Sequence, residues 1–326
     1  MDTCTRQSYL THMANTVDVR FLDRTTPPHI STLIVLAGLS AMVMNMFLPS
    51  LPTMTEHFGT TYAVMQLSVP VYLGVSALLQ VFIGPISDNL GRRPVLLWGI
   101  GLFCLATLGC IYAPTIELFL FFRMCQASIA VGMVLSRAVI RDLYDQDHAA
   151  SMIGYVTMGM ALVPMVSPMI GGFLDEFVSW KANFWLFLFC GIVAFFLVWR
   201  DLGETAAGSG KSLWQQFKDY PELITSPRFW GYCLAAAFCS GAFFSYLGGG
   251  PFVGSVVFGL SPFWVGLLFG APAVGYLIGN GLTGIYAARF GVNRMILWGC
   301  IANFLGTSIS LSVFLAGYGT AWSFFG

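Results

Sequence analysis

The sequence predicts an all-α polytopic membrane protein, with a six-helix N-terminal bundle followed by a partial, three-helix C-terminal bundle. The composition is the first observation behind this prediction, and the spacing of the apolar segments is the second. Hydrophobic residues make up 57% of the 326 residues and charged residues 9%, with a mean hydropathy of +0.76. Because a soluble domain is about a quarter charged, this composition excludes a disordered chain, a disulfide-stabilised secreted domain and a basic nucleic-acid-binding protein.

Nine segments are long and apolar enough to cross a bilayer, which takes about 20 residues each. We number them spans one to nine: 31–51, 64–86, 93–113, 116–140, 151–174, 182–200, 229–250, 263–287 and 295–317. The longest connection separates six spans from three. The chain is therefore divided into an N-terminal tail (1–29), a six-helix bundle (30–200), a cytoplasmic linker (201–228) and a partial C-terminal bundle (229–326).

The basic residues predict the orientation, because cytoplasmic loops carry an excess of Lys and Arg. With the N-terminus inside, the loops that carry Arg or Lys fall almost entirely on the cytoplasmic side, and Lys181 alone falls outside. The inner residues are Arg6, Arg20, Arg24, Arg92, Arg93, Arg137, Arg141, Arg200, Lys211, Lys218, Arg228, Arg289 and Arg294. The expected location is the bacterial inner membrane, crossed many times, with the N-terminus in the cytoplasm.

An internal repeat supports the division into two bundles. Residues 84–99 (GPISDNLGRRPVLLWG) and 284–299 (GIYAARFGVNRMILWG) share five identical residues, and both connect two spans on the predicted inner side. Two parallel six-helix repeats would give twelve spans. We therefore expect the sequence to be either a fragment or a truncated product that lacks the last three spans.

Several motifs resemble those of the major facilitator superfamily. GPISDNLGRR resembles its motif A, the loop between helices two and three. Other segments resemble the Bcr/CflA drug-exporter family: MFLPSLPTM at 46–54, RMCQA at 123–127, RAVIRDLY at 137–144, VPMVSPMIGGFL at 163–174 and GET at 203–205. The resemblance implies a secondary active transporter that exports small amphipathic molecules or drugs by alternating access, with protons as a possible coupling ion.

The motif A loop and the inner end of span four together predict an ion-pair latch, whose strength changes as the helices move. Its expected members are Gly84, Asp88, Gly91, Arg92, Arg93, Arg141 and Asp142. In the resembling family such a latch holds the cytoplasmic side closed. The alternative is that Arg92 and Arg93 serve only to set the membrane orientation.

Arg123 is the one charged residue deep within a predicted span. Burying it costs at least about 2.5–3.5 kcal/mol on insertion scales, which favours a functional role with a nearby partner. It occupies the position of the family's motif B arginine, and Gln126 follows one turn later. The alternative is that the side chain extends to the outer surface.

Span five carries Gly159, Pro164, Pro168, Gly171 and Gly172, which resemble the family's exporter motif C. Two prolines interrupt helical hydrogen bonds and predict a bend, and the glycines allow close packing against a neighbouring helix. The alternative is generic packing of membrane helices.

Asn45 departs from the family pattern, in which an acidic residue precedes the Met-x-x-Pro end of helix one. An amide cannot carry a proton as a carboxylate can, so proton coupling at this position is in doubt. We expect the transport cavity to be lined by Asn45, Tyr72, Arg123, Gln126, Phe243 and Tyr246.

Three other functions compete with drug export. Asn45 favours a metabolite transporter or a proton-independent facilitator, and the missing spans favour a non-transporting truncated product. An enzyme is not expected, because the four histidines lie in tails or loops and the spans hold no nucleophile–base pair. The sequence predicts no cofactor, metal site or nucleic-acid partner, and a monomer.

Overall fold

The computed structural model describes residues 19–144, 146–206 and 220–325, and every regular element in this part of the chain is helical. Most of the predicted tail (1–18) and most of the predicted linker (207–219) lie outside the described residues. Eight helical stretches in the described part are long and apolar enough to cross a membrane.

The first six spans form one bundle of long helices. Their elements are Ile30–Asn45, the 3₁₀ turn Leu48–Ser50 and Leu51–His57 (span one), Tyr62–Gln66 and Pro70–Leu90 (two), Arg92–Tyr112 (three), Ile116–Cys125, the 3₁₀ turn Gln126–Ile129 and Ala130–Leu143 (four), Gln146–Phe177 (five) and Trp180–Asp201 (six). Pro164 and Pro168 lie inside one continuous helix in span five.

The described C-terminal part contributes two of these eight stretches, spans seven and nine, with two helices at the predicted position of span eight and two short helices. Its elements are Tyr220–Thr225, Pro227–Phe252 with the π-helical turn Val253–Val257 (span seven), Pro262–Leu268 and Ala271–Phe290 (eight), Val292–Leu315 (nine) and Ala321–Phe325. Spans one, two and four each contain more than one helical element, and span eight consists of two helices where a single one is expected over 263–287. Pro272 explains the break, since it has no N–H to bond the carbonyl four residues earlier.

Span one forms the centre of the N-terminal bundle. It packs against spans four, five and six. In its most apolar stretch of 18 residues 67% are buried, whereas none are buried in the corresponding stretch of span nine. The core therefore lies among the first six spans, and span nine presents apolar side chains at the surface.

The two repeat copies have the same local backbone. Gly91 and Gly291 have φ angles of +99° and +81°, and each is the residue immediately before a long helix. Only glycine adopts such angles without strain. The sequence repeat therefore corresponds to two equivalent sharp turns between helices.

The basic residues at the ends of the described helices lie at one end of the bundle, with Lys181 as the exception. We call this the inner end, after its predicted cytoplasmic location, and the opposite end the outer end. The side of the membrane itself stays a prediction.

Candidate functional site

Arg92 is the centre of the ion-pair cluster at the inner end. Its side chain pairs with Asp88 one turn earlier and with Asp142 of span four, where Arg92 Nε donates to Asp142 Oδ2 at 2.9 Å. Arg92 Nη1 also donates to the Ser87 hydroxyl. The structure therefore brings together three of the charged residues of the predicted latch, linking spans two, three and four.

Gly91 allows a carboxylate to cap span three. Glu204, just after span six, accepts hydrogen bonds from the backbone N–H groups of Arg92 (2.7 Å) and Arg93 (3.3 Å). A Cβ atom on Gly91 would overlap this carboxylate. The cap satisfies donors that the first turn leaves free, and the negative charge is favourable at a helix N-terminus.

The other predicted members of the latch have different surroundings. Arg93 donates through Nη2 to the Trp199 carbonyl at 3.1 Å. Arg141 is exposed and makes no ion pair within the described part of the chain. Gly84 has open space where a Cβ would lie. The ion-pair cluster of the structure therefore contains Asp88, Arg92 and Asp142, and it does not include Arg93, Arg141 or Gly84.

Asp201 holds the beginning of span one in place. It is fully buried, and it accepts hydrogen bonds from the backbone N–H groups of Leu22 (2.7 Å) and His29 (2.9 Å) and from the Thr32 hydroxyl (2.7 Å). Sequence reasoning assigned no role to Asp201 or Glu204. The GET motif (203–205) contains Glu204 but not Asp201, and it gives no indication of which helices Glu204 would meet.

Arg123 lies in a closed polar and aromatic cage. The residue is 1% exposed. Arg123 Nη1 donates a hydrogen bond to Gln126 Oε1, and Nη2 donates one to the Val43 carbonyl, both at 2.8 Å. Its guanidinium carbon lies 4.2 Å from the ring centroids of both Phe47 and Tyr72. Such cation–π contacts stabilise a desolvated charge by about 2 kcal/mol each.

Gln126 extends the hydrogen-bond network of Arg123 to span three. Its Nε2 donates to Thr107 Oγ1 at 2.8 Å, and this hydroxyl donates to the Phe103 carbonyl at 2.7 Å. The 3₁₀ turn that begins at Gln126 places its side chain beside Arg123 three residues earlier. Within the described residues no Asp or Glu pairs with Arg123.

Asn45 is buried beside this network but does not join it. It is 1% exposed, its Nδ2 donates to the Ala41 carbonyl at 2.7 Å, and its Oδ1 has no partner among the described residues. A buried acceptor without a partner costs about 1–3 kcal/mol. The amide therefore offers one free acceptor inside the N-terminal bundle.

The two predicted lining residues of span seven lie apart from the Arg123 cage. Phe243 is 42% exposed. Tyr246 contacts the rings of Phe269, Phe324 and Phe325, with centroid distances of 5.4–6.0 Å, and its hydroxyl has no partner in the described chain. Of the six predicted lining residues, the structure joins Tyr72, Arg123 and Gln126.

Span five packs closely on both bundles through its glycines. A Cβ on Gly159 would overlap Ile34, one on Gly171 would overlap the Met46 carbonyl, and one on Gly172 would overlap the Pro262 carbonyl. Gly266 of span eight is equally tight against the Pro168 carbonyl. The small residues therefore allow backbone-to-backbone contact of span five with spans one and eight.

Polar contacts between the two bundles also lie at the outer end. Glu176 Oε2 accepts from the Phe263 N–H at 2.9 Å, and the Tyr62 hydroxyl donates to the Gly248 carbonyl at 3.0 Å. Below them a cavity of about 220 Å³ lies between spans two and seven. It is lined by Gln66, Val69, Pro70, Leu73, Gly241, Phe244, Ser245 and Gly248.

These features agree with the comparisons to known proteins. The family model described as Major Facilitator Superfamily matches residues 33–326. The chain belongs to the Major Facilitator Superfamily. It is therefore a multi-pass membrane protein of a transporter family and not an enzyme.

The chain shares 27–32% sequence identity with three named relatives. The chain is 30% identical over 285 residues to an uncharacterized MFS-type transporter of Bacillus subtilis, covering 86% of this chain and 71% of that protein. It is 32% identical over 264 residues to a chloramphenicol resistance protein of Pseudomonas aeruginosa, covering 80% and 60%. It is 27% identical over 312 residues to a multidrug transporter of Yersinia pestis, covering 88% and 76%.

A solved structure confirms the all-helical fold. It is the crystal structure of a bacterial homolog of the human lysosomal transporter Spinster, with a TM-score of 0.67 and 18% identity. The match covers 91% of this chain and 70% of that one. The chain thus spans about three fifths to three quarters of the length of these relatives.

Proposed function

We propose that this protein exports small amphipathic molecules by alternating access, and that it transports neutral or anionic compounds better than cationic ones. The names of the relatives support drug export, since two of them are called resistance or multidrug proteins. The observation that carries the charge preference is the buried guanidinium of Arg123, which has no acidic partner in the described chain.

Electrostatics explains the preference. A cationic ligand about 8 Å from Arg123 would be repelled by about 2 kcal/mol at an effective dielectric constant of about 20, and an anion attracted by as much. This corresponds to roughly a thirtyfold difference in affinity relative to a neutral ligand. Asn45 cannot offset it, because an amide carries no charge.

The contacts between the bundles support alternating access. At the outer end, span five meets span eight of the C-terminal bundle at Gly172, and Glu176 bonds the first turn of span eight. At the inner end, the ion pairs of Arg92 lie within the N-terminal bundle. We propose that these pairs are the latch, and that rocking of the bundles exchanges the outer contacts for inner ones.

A second candidate is a proton-independent facilitator. Asn45 favours it, because the position at which the resembling exporters carry a carboxylate holds an amide with a free Oδ1. In this case the chain would move neutral solutes down their gradient. Its transport would respond little to a proton gradient imposed across the membrane.

Asn45→Asp tests the proposal. In everted vesicles that contain the 326-residue chain, the unaltered protein should transport a neutral or anionic dye well and a cationic dye poorly. Asn45→Asp should increase transport of the cationic dye by about tenfold and make it depend on pH, because the new carboxylate offsets the charge of Arg123.

Asn293→Asp is the matched control. It makes the same chemical change at an exposed residue in the first turn of span nine, where a carboxylate favours the helix, and it should leave dye preference unchanged. The proposal fails if the unaltered chain already transports the cationic dye as well as Asn45→Asp does. Accumulation equal to that of empty vesicles for every dye would favour the non-transporting product.

A further inference from the structure

Asp175 is a buried carboxyl group at the outer end of span five. It is 8% exposed, and the Thr53 hydroxyl donates to its Oδ2 at 2.9 Å. Its Oδ1 is buried and has no hydrogen-bond partner in the described chain. An unpartnered charged oxygen in this position costs free energy that a bound proton or cation would recover.

A buried amide of span six bonds to both spans one and five, which carry Thr53 and Asp175. Asn183 of span six is fully buried, and its Nδ2 donates to Ser50 Oγ at 3.0 Å and to the Gly171 carbonyl at 3.3 Å. Asn183 Oδ1 is a second buried oxygen without a partner. Asp175 Oδ1 and Asn183 Oδ1 are thus two buried acceptors without a partner in the described chain, on helices that both bond to span one.

The charged groups around Asp175 supply no basic partner. Glu176 on the same helix bonds the Phe263 N–H, and Glu56 is exposed. Lys181 and His57 both turn towards Trp180, whose ring lies 5.5 Å from the Lys181 ammonium and 5.1 Å from the His57 ring. The facing helix of span eight, Pro262–Leu268, contains no titratable residue. In the described part of the chain, Asp175 has no ion pair.

Asp175 lies on the turn of span five that also contacts span eight of the C-terminal bundle. Gly171 lies one turn earlier on the same face of span five, against the Met46 carbonyl, and Gly172 lies against the Pro262 carbonyl. The hydrogen bond to Asp175 itself comes from span one, whereas Gly172 and Glu176, on the same turn of span five, contact span eight. Movement of span five relative to span eight would therefore move the turn that carries the carboxyl.

We propose that Asp175 is a proton-binding site. A proton from the outer solution binds Oδ1 when spans one, five and eight close, and returns to that solution when they separate. The only bond made or broken is O–H, and no other reactant is needed. The site would make packing of the outer ends depend on pH, although position 45 carries an amide and not an acid. Its use in transport depends on the proposed function, but the binding itself does not.

Infrared spectroscopy of the purified chain in lipid tests the proposal. Between about pH 5 and about pH 9, the unaltered protein should show a carboxylic-acid C=O band that Asp175→Asn removes, since the amide retains an acceptor for Thr53 and similar shape. Glu117→Gln, at an exposed acid of the same end, should keep the band. Thr53→Val should move its frequency without removing it.

Two outcomes would overturn the proposal. One is a spectrum of Asp175→Asn that matches the unaltered protein across the pH range. The other is loss of the band at constant pH when Na⁺, but not K⁺ or choline, is added, because this would identify a sodium site.

A second measurement needs no variant. A hydrophobic carbodiimide reacts with protonated buried carboxyls, so mass spectrometry of the native chain should find Asp175 modified, and less so as the pH rises. Lack of modification of Asp175 at every pH, in a sample where other carboxyls react, would overturn the proposal. Neither experiment measures transport, so a negative result for drug export would leave this site testable, and the reverse also holds.

Discussion

At the scale of single residues, Arg123 shows how a charge is held inside an apolar bundle. Two carbonyl-type oxygens and two aromatic rings surround the guanidinium. The sequence predicts the Gln126 contact, because three residues make about one helical turn. It does not predict Phe47 or the Val43 carbonyl as partners, because these come from another span and their approach depends on tertiary packing.

Gly91→Ala should destabilise the protein. A φ of +99° strains any residue with a Cβ, and the new methyl group would overlap the Glu204 carboxylate, so we expect a cost of about 1–3 kcal/mol. Thermal unfolding of the purified chain should show a midpoint lower by several degrees, at about 2–4 °C per kcal/mol.

Gly84→Ala is the control for this prediction. Gly84 lies within the helix Pro70–Leu90 and has open space where the Cβ would be placed. Alanine favours a helix by about 1 kcal/mol over glycine, so the midpoint should stay the same or rise. Equal midpoints for Gly91→Ala and Gly84→Ala would contradict the role of the left-handed turn.

At the scale of helices, the short segment after span six fastens two other spans. Asp201 bonds the start of span one and Glu204 caps span three. Both contacts join residues more than a hundred positions apart. The sequence shows the acids but not their partners, because the contacts follow from how the inner ends of three helices assemble.

Gly172→Ala should separate the outer ends of spans five and eight. A Cβ here would overlap the Pro262 carbonyl, and backbone cannot move aside as a flexible side chain can. With spin labels attached at the exposed positions Val178 and Val257, the distance between the labels should lengthen or its distribution broaden.

Gly154→Ala is the matched control on the same helix. Nothing lies within 4 Å of its Cβ position, so its label distances should equal those of the unaltered chain. If both variants gave the unaltered distances, the contact between Gly172 and Pro262 would not hold the outer ends together.

At the scale of the whole molecule, the sequence predicts the fold well and the contacts between bundles poorly. Apolar length identifies the spans, since a bilayer requires helices of about 20 residues, and motif A identifies the superfamily. The break in span eight and the polar cluster at Asp175 were not predicted. Each depends on groups from several helices, or on a proline whose effect apolar length does not reveal.

The orientation of the whole bundle is the last prediction. The Lys and Arg side chains of the loops lie almost entirely at the inner end, and moving such residues across the membrane is opposed during insertion. A cysteine at Val178, which is 68% exposed at the outer end, should therefore react with a membrane-impermeant thiol reagent in intact cells. The protein used must lack its eight native cysteines.

A cysteine at Thr225 is the opposite case. Thr225 is exposed at the inner end, just before span seven, so it should react only after the cells are made permeable. In everted vesicles, where the cytoplasmic face is outermost, the two reactivities should exchange. Labelling of Thr225→Cys but not Val178→Cys in intact cells would show the bundle inserted the other way round, and the charge distribution would then have failed to set its topology.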